Sequence, residues 1–347
     1  MNMEPLKNTM NKSQTQEVVL VDEEEVQELK KSLPKATFMG SNLQLVKFEG
    51  FWCPPSLNLK NVLMFRRNFH ARDTDLIIAS LPKTGTTWLK ALLFVIVNRF
   101  HHKIDDSPLL THHPHELVYR LEKDIYGEAF TYPSLHHFNE LPSPRLLHTH
   151  LPYASLPKSI KTSQCRILYI SRNPLDTYVS QLNFYPNVIK KQMGEDFQLP
   201  CVEDFFEDCY EGRVPYGPFF DHVVGYWNQS LEKSEKVLFL KYEDLKDDAI
   251  SHLKRLAKFV GMPFSSKEES DGVIQNIIDL CSINNLKQLE VNKNGVLNKF
   301  FEKNTFFRKG EVGDWTNFFT PSMVEKMNKL MEEQLWGTGL SYKLLSH

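Results

Sequence analysis

Residues 75–90 read DLIIASLPKTGTTWLK: a short apolar run, a hydroxyl-rich turn carrying one lysine and one glycine, then the opening of an apolar-periodic helix. A strand that ends on such a turn hands the chain directly to a helix. The helix, from about Thr87 through WLKALLFVIVNRF, then points its unpaired N–H groups and positive dipole end into the turn. One βα unit is fixed this way, and its junction is marked as a place for an anion such as a phosphate. Gly85 lets backbone come close to oxyanions, and Lys83 brings a point charge. The alternative is a plain connection in which Ser80, Thr84 and Thr86 only cap the helix.

The same unit recurs along the chain. Apolar runs at DLIIAS, RLLHTHL, CRILYIS and KVLFLKY predict strands, and the helical patterns WLKALLFVIVNRF, NPLDTYVSQLNF and DAISHLKRLAKFVG follow three of them. Such alternation predicts an α/β fold, with a central parallel β-sheet flanked by helices and ligands at the carboxyl ends of the strands. Pro-rich stretches at PPSL, THHPH, LPSP and YPN predict bends. A chain of 347 residues, 41% of them hydrophobic, suits one large domain. Its expected span is 21–347, opening on a peripheral helix in VDEEEVQELKKSL after a flexible tail over 1–20.

Charge excludes whole classes of partner. Lys plus Arg number 41 against 43 Asp plus Glu, so no overall basic excess points to nucleic acid or a membrane surface, and any basic site is local. No stretch has the length of a signal peptide or a membrane span, which gives a cytoplasmic expectation. Cys53, Cys165, Cys201, Cys209 and Cys281 are scattered and odd in number, and read as reduced thiols.

The turn at Lys83 is not an ordinary ATP loop, whose lysine stands between a second glycine and a magnesium-binding Ser or Thr. Here Lys83 precedes Gly85, and Thr84, Thr86 and Thr87 crowd the turn with hydroxyls. A second junction, CRILYISRNPLDTYVS, sets Arg172 at a strand end and Ser180 about two turns along the following helix, with Asn173 as cap and Pro174 at the first helical position. A third basic element, FFRKGEVGDWTNFFT, joins Arg308 and Lys309 to Gly310 and Gly313. Taken singly, each of these has the plainer reading of a surface charge.

Together the three elements resemble the cytosolic sulfotransferase family over most of the chain. PKTGTTW is similar to its 5′-phosphosulfate loop, RNPLDTYVS to its 3′-phosphate segment and RKGEVGDW to its cofactor cap. NRFHHK, THHPHELV, KYEDLKDD, LEVNK and GTGLSYKL resemble the plant, flavonol sulfotransferase-like branch. The resemblance implies a P-loop-like sulfotransferase fold, with 3′-phosphoadenosine 5′-phosphosulfate (PAPS) as donor, no metal, and a small hydroxyl-bearing acceptor. It implies cofactor contacts from Lys83, Thr84, Gly85, Thr86, Thr87, Trp88, Arg172, Ser180, Tyr242, Arg308, Lys309 and Gly310. It also implies His150 of RLLHTHLPYASLP as general base and Lys83 as stabiliser of the leaving phosphate.

His148 shares the strand face of His150. A metal site could draw His112, His113 and His115 to this pair, but no acidic ligand is spaced to complete one. The chain departs from the family at Thr84, where Ser is usual, at Ile283, where an aromatic often stands beside adenine, and at Leu182 and Asn183, which replace Trp and His beside the acceptor pocket. Lys and Val of the animal dimer signature are absent from the matching stretch Thr316, Thr320, Pro321 and Glu325, so a monomer is expected at least as readily as a homodimer. FEGFWCPPS, LNFYPN and YGPFFDHVVGYW are candidate pocket linings. Flavonoids and other phenols lead as acceptors, with hydroxyjasmonates and steroids open. The rival functions are a P-loop-type small-molecule kinase and a catalytically silent nucleotide-binding protein.

Overall fold

The apolar runs become the strands of one parallel sheet. β1 (Leu76–Ser80), β3 (Leu146–Thr149), β4 (Arg166–Ser171) and β5 (Val237–Lys241) are joined by a very short β2 (Tyr119–Arg120), in the spatial order β2-β3-β1-β4-β5. The computed structural model describes residues 18–345 apart from 42, 56, 128–134, 195–199 and 299–300. Successive side chains leave a strand on opposite faces. Ile77 and Ala79 of β1 therefore enter one core with Leu147, Ile167 and Tyr169, while Leu76 and Ile78 enter the other with Leu168 and Ile170. Burial on both faces explains why these strands are continuously apolar rather than alternating.

Helices cover both faces. The helix α1 (Thr86–Asn98) packs into the second core together with the helices Ala249–Phe259 and Val273–Cys281. The helices α2 (Pro174–Met193) and α3 (Phe219–Glu232) pack into the first core, which also takes the three-stranded antiparallel sheet Lys35–Thr37, Gln44–Phe48 and Phe51–Cys53. The peripheral helix is Glu23–Ser32, capped by Asp22 and acidic in its first turn. The tail expected over 1–20 lies outside the described residues except for Val18, Val19 and Leu20, which are exposed.

One local expectation is corrected. The break at YPN does not form: α2 continues as helix through Pro186. Proline removes one N–H from the helix ladder, yet burial of Phe184, Val188 and Ile189 on the same stretch holds the helix together. At THHPH the chain bends at His112 as expected and then makes a short helix, Pro114–Leu117, with Pro114 at its start and a capping box from His113 and Glu116.

The amino ends of the strands are pinned by a buried ion pair in which Arg145 Nη2 and Nε donate to Asp75 at 2.6 and 2.8 Å. At the opposite ends, the loops leaving β1, β3 and β4 converge because β1 lies between the other two. Open parallel sheets bind ligands in such a crevice.

Candidate active site

A cleft of about 1130 Å³ opens at these carboxyl ends, and eleven of the twelve candidate cofactor residues, all but Thr84, line it together with His148 and His150. The loop after β1 owes its shape to two left-handed residues, Lys83 at φ 76° and Gly85 at φ 111°. A Cβ on Gly85 would stand 2.7 Å from the Tyr242 ring and 2.9 Å from Ile170, so both the backbone angle and the space require glycine. Gly85 offers no side-chain cap to α1, whose first N–H groups are left for another acceptor. The capping alternative is thereby corrected. Thr84 points inward, with its hydroxyl 2.8 Å from the Leu81 carbonyl and 2.9 Å from that of Ile170, while Ser80 pairs with Thr86 at 2.7 Å. Thr84 has only its backbone to offer a ligand.

Thr87 is oriented from behind. Buried Lys90 donates to the Val118 carbonyl at 2.8 Å and reaches His115 Nδ1 at 3.0 Å. His115 Nε2–H then donates to Thr87 Oγ1 at 3.0 Å, which leaves the threonine proton for the cleft. Lys83 lays its ammonium over the Phe184 ring, 3.9 Å from the centroid. Burial, followed by the charges of Arg308 and Arg172, pulls that ammonium down to about 7.

After β4, Arg172 is almost buried. It stacks on Tyr242 at 4.6 Å, faces Asp176 at 3.4 Å and donates to the Glu311 carbonyl, and its Nε is a buried donor with no partner among the described residues. Asn173 caps α2 and is itself fixed by Glu243 Oε1, which accepts from its backbone N–H at 2.8 Å. Asp176 reaches across to the carboxyl-terminal segment and accepts from the N–H groups of Gly313 and Trp315 at 2.9 and 3.2 Å. Asp314 pairs with Arg308 and Lys309, each at 2.6 Å. Burial would push its carboxyl up, but these cations and Asn317 outweigh that and hold it at about 2. Tyr242 donates its hydroxyl to the Gly310 carbonyl at 2.9 Å and meets Trp88 edge-on at 5.4 Å.

His150 follows β3 directly. Its Nδ1 lies 2.6 Å from the Ser80 carbonyl, an atom that only accepts, so Nδ1 carries the proton and Nε2 is left as the basic atom. The residue is clamped on both sides: its N–H donates to Glu122 at 2.9 Å, and its carbonyl accepts from His222 Nε2–H at 2.9 Å. Tyr169 in turn donates to His222 Nδ1 at 2.8 Å. Burial first, then Arg120, holds the His150 ring well below the usual histidine range, so it is neutral at physiological pH. His148 sits on the same face, with ring centroids 4.3 Å apart, and neither of its buried nitrogens has a partner among the described residues. Among the described residues no group of three or more His, Cys, Asp or Glu could hold a metal ion. His113 caps a helix, and His112 is exposed beside Thr111.

Of the candidate lining segments, Pro54, Phe184, Tyr185 and Tyr216 reach the cleft, as does Ile283. Leu182 and Asn183 do not line it: Leu182 packs against the core, and the Asn183 amide turns back to the Val179 carbonyl at 2.7 Å. Sequence reasoning missed Arg120, Lys123, Phe301 and Phe306 in the cleft wall, and the supports Lys90, Glu122 and His222 behind it. The signal for Arg120 and Lys123 was present as charge within an otherwise apolar LVYRLEKDIYG, the stretch next to a histidine-rich turn.

Known proteins match this chain over most of its length. Residues 73–339 match the family described as Sulfotransferase domain. A flavonol sulfotransferase-like protein of Flaveria bidentis is 45% identical over 325 residues, covering 92% of this chain and 100% of its own. Cytosolic sulfotransferase 15 of Arabidopsis thaliana is 41% identical over 327 residues, covering 92% and 88%. Among solved structures, an Arabidopsis thaliana sulphotransferase aligns with a TM-score of 0.70 at 34% identity, covering 94% of this chain and 99% of its own. A mouse sulfotransferase complexed with PAP aligns at 0.65 and 27% identity, covering 85% and 96%.

Proposed function

This chain belongs to the sulfotransferase family, and we propose that it moves a sulfonate group from PAPS to a hydroxyl of a small, largely apolar acceptor, with flavonoids and other phenols first. The observation that carries the reading is the fixed tautomer of His150: Nδ1–H locked on the Ser80 carbonyl at 2.6 Å leaves Nε2 free to take the acceptor proton.

The residues suit a doubly phosphorylated nucleotide. Lys83, Arg172, Arg308 and Lys309 supply charge from three separate segments, Gly85 allows a turn so close to Tyr242 and Ile170 that a Cβ would collide with them, and the buried Nε of Arg172 lacks an acceptor among the described residues. When bound, PAPS supplies the sulfonate and leaves as PAP. Lys83 and the first N–H groups of α1 are the donors for the 5′ end, Thr86 and Thr87 add hydroxyls, and Arg172, Ser180 and Arg308 receive the 3′-phosphate. Trp88 and Tyr242 provide aromatic surface for the base. His150 Nε2 takes the acceptor proton while Lys83 neutralises charge on the leaving oxygen. Glu122 and His222 fix the His150 backbone and the Ser80 carbonyl fixes its ring, so little reorganisation is needed at the moment of transfer.

These fixed donors make a metal ion unnecessary in the proposed chemistry, because a sulfonate develops less charge than a phosphoryl group. We assign 21–347 to one sulfotransferase domain after a tail, a reading supported by Val21 and Val26 packing into the first core. A cytoplasmic location follows from the cytosolic relatives, and a monomer at least as readily as a homodimer follows from the missing signature residues.

The test is an acceptor screen with labelled PAPS on the purified protein, with and without chelator, beside His150→Ala. Sulfonated phenol from the parent, unaffected by chelator, is expected. The variant should lose about 100-fold or more in kcat, as removal of a general base does, while keeping PAP affinity. Unimpaired turnover by the variant removes His150 from its role. Phosphate transfer from ATP with Mg²⁺ and none from PAPS would replace the reading by the kinase one.

A further inference from the structure

We propose that the acceptor end of the cleft is a carboxylate site formed by Arg120 and Lys123, and that the natural acceptor therefore carries a carboxylate as well as the hydroxyl that is sulfonated. The inference rests on the sulfotransferase reading and narrows its acceptor: a phenol or alicyclic alcohol that bears a carboxylate takes precedence over the neutral flavonoids.

Arg120 ends β2 and stands in register opposite His148, next to the strand that delivers His150. Lys123 follows in the single helical turn Leu121–Ile125, and both residues line the cleft. The Lys123 ammonium is buried and has no hydrogen-bond partner among the described residues. It lies over the Phe301 ring, 4.4 Å from the centroid. No described carboxylate comes within ion-pair distance of either cation.

Glu116 and Asp124 also line the cleft, and Asp124 and Glu122 act on both cations through space, but none of the three forms an ion pair with either. Glu116 pairs with Lys303 at 2.8 Å and accepts from the His113 N–H, Asp124 accepts from the Arg120 backbone N–H at 2.7 Å, and Glu122 holds the His150 N–H. Burial also pushes the Glu122 carboxyl up, against the pull of Arg120, which lowers the charge it can offer in return. Burial, then the charge of Arg120, pulls the Lys123 ammonium down to about 7. A buried ammonium without an acceptor is costly, and an entering anion would remove that cost. A planar guanidinium beside an ammonium matches the two oxygens of a carboxylate.

The aromatic wall sets the remaining shape. Phe184 and Phe301 stack at 5.6 Å, and Phe306 meets Phe184 at 5.4 Å. Lys83 sits over Phe184 at one end of this wall and Lys123 over Phe301 at the other. An aromatic or alicyclic body laid along it would present its hydroxyl to His150 and Lys83 and its carboxylate to Lys123 and Arg120.

The experiment compares 3-(4-hydroxyphenyl)propanoate with 3-(4-hydroxyphenyl)propanamide as acceptors, with PAPS as donor. The carboxylate should be favoured at least about tenfold in kcat/KM, mainly through KM. Lys123→Met and Arg120→Met should each bring that ratio to within about twofold, and Lys123→Arg should keep it. A parent ratio at or below one, or a ratio that both Met variants leave in place, overturns the proposal. Calorimetry on the PAP-loaded parent with the unreactive 3-phenylpropanoate and 3-phenylpropanamide needs neither turnover nor a variant: tighter carboxylate binding supports the site, and equal binding overturns it. Sulfonation of neutral phenols without carboxylate preference leaves the transfer reading standing and removes this one. Carboxylate preference without any sulfonation does the reverse.

Discussion

With a phosphate of PAP held by Lys83, as proposed, PAP binding depends on pH. In the free protein its ammonium is drawn down to about 7 by burial and by Arg308 and Arg172. A phosphate oxygen beside it supplies the missing opposite charge and returns the group toward its ordinary value of about 10.4. Binding above pH 7 must therefore take up a proton. At pH 7 about half of the free protein already carries it; at pH 9 about one molecule in a hundred does, so PAP affinity should fall about fifty-fold between the two. That corresponds to about 2.3 kcal/mol. The phosphates of PAP, with second pKa values near ~6, are already ionised across this window and contribute little to the slope. Lys90 and Lys123 are also drawn down to about 7, so the diagnostic quantity is the difference between the parent and Lys83→Met. Calorimetry in buffers of different ionisation enthalpy should show close to one more proton taken up by the parent at pH 8.5, together with a steeper fall in affinity. Equal slopes and equal proton uptake in the two proteins would refute the reasoning.

Two other substitutions separate the site from the scaffold. Gly85→Ala places a methyl 2.7 Å from the Tyr242 ring at φ 111°, and should weaken PAP binding by at least about tenfold in a titration of the folded protein while costing about 1–3 kcal/mol in urea unfolding. Arg145→Met leaves Asp75 buried and unpaired at the far end of the sheet, and should cost about 3–5 kcal/mol in urea unfolding while PAP affinity of the folded fraction is preserved. A loss of PAP affinity as large as that of Gly85→Ala would show that the two ends of the sheet are not independent.

Features that are local in the chain were legible in the sequence. The strand β1, the turn at Lys83 and the start of α1 are neighbours in sequence, and a run such as LIIAS buried on both faces declares itself by composition. Arg172 with its Asn173 cap and Pro174 is local for the same reason. What escaped depends on partners distant in sequence. Nothing around His222 announces that its Nε2–H holds a carbonyl at position 150, and nothing around Glu122 announces the N–H of the same residue. The strand β2 covers only Tyr119–Arg120, too short to show any period, so the element that carries Arg120 into the cleft had no pattern to betray it. Thr84 was misread in the opposite sense: among hydroxyls in a turn it looked like another donor to the ligand, and only the carbonyls of Leu81 and Ile170 show which way it faces. Pro186 misled because a residue that breaks isolated helices is tolerated where tertiary burial supports the turns around it.

The bond from Asp176 to the N–H groups of Gly313 and Trp315 has a consequence for biosynthesis. A nascent chain grows from its amino terminus, so the loop at Lys83 and the ring of His150 leave the ribosome long before Arg308 and Lys309 are made. Until that late stretch arrives and is latched onto the start of α2, the half-made protein has its reactive groups in hand but an open and undercharged grip on the nucleotide. On the proposed reading, competence for transfer is thus deferred to the last steps of translation, and a chain halted before residue 308 lacks both that grip and the core residues Phe319, Met327 and Leu340.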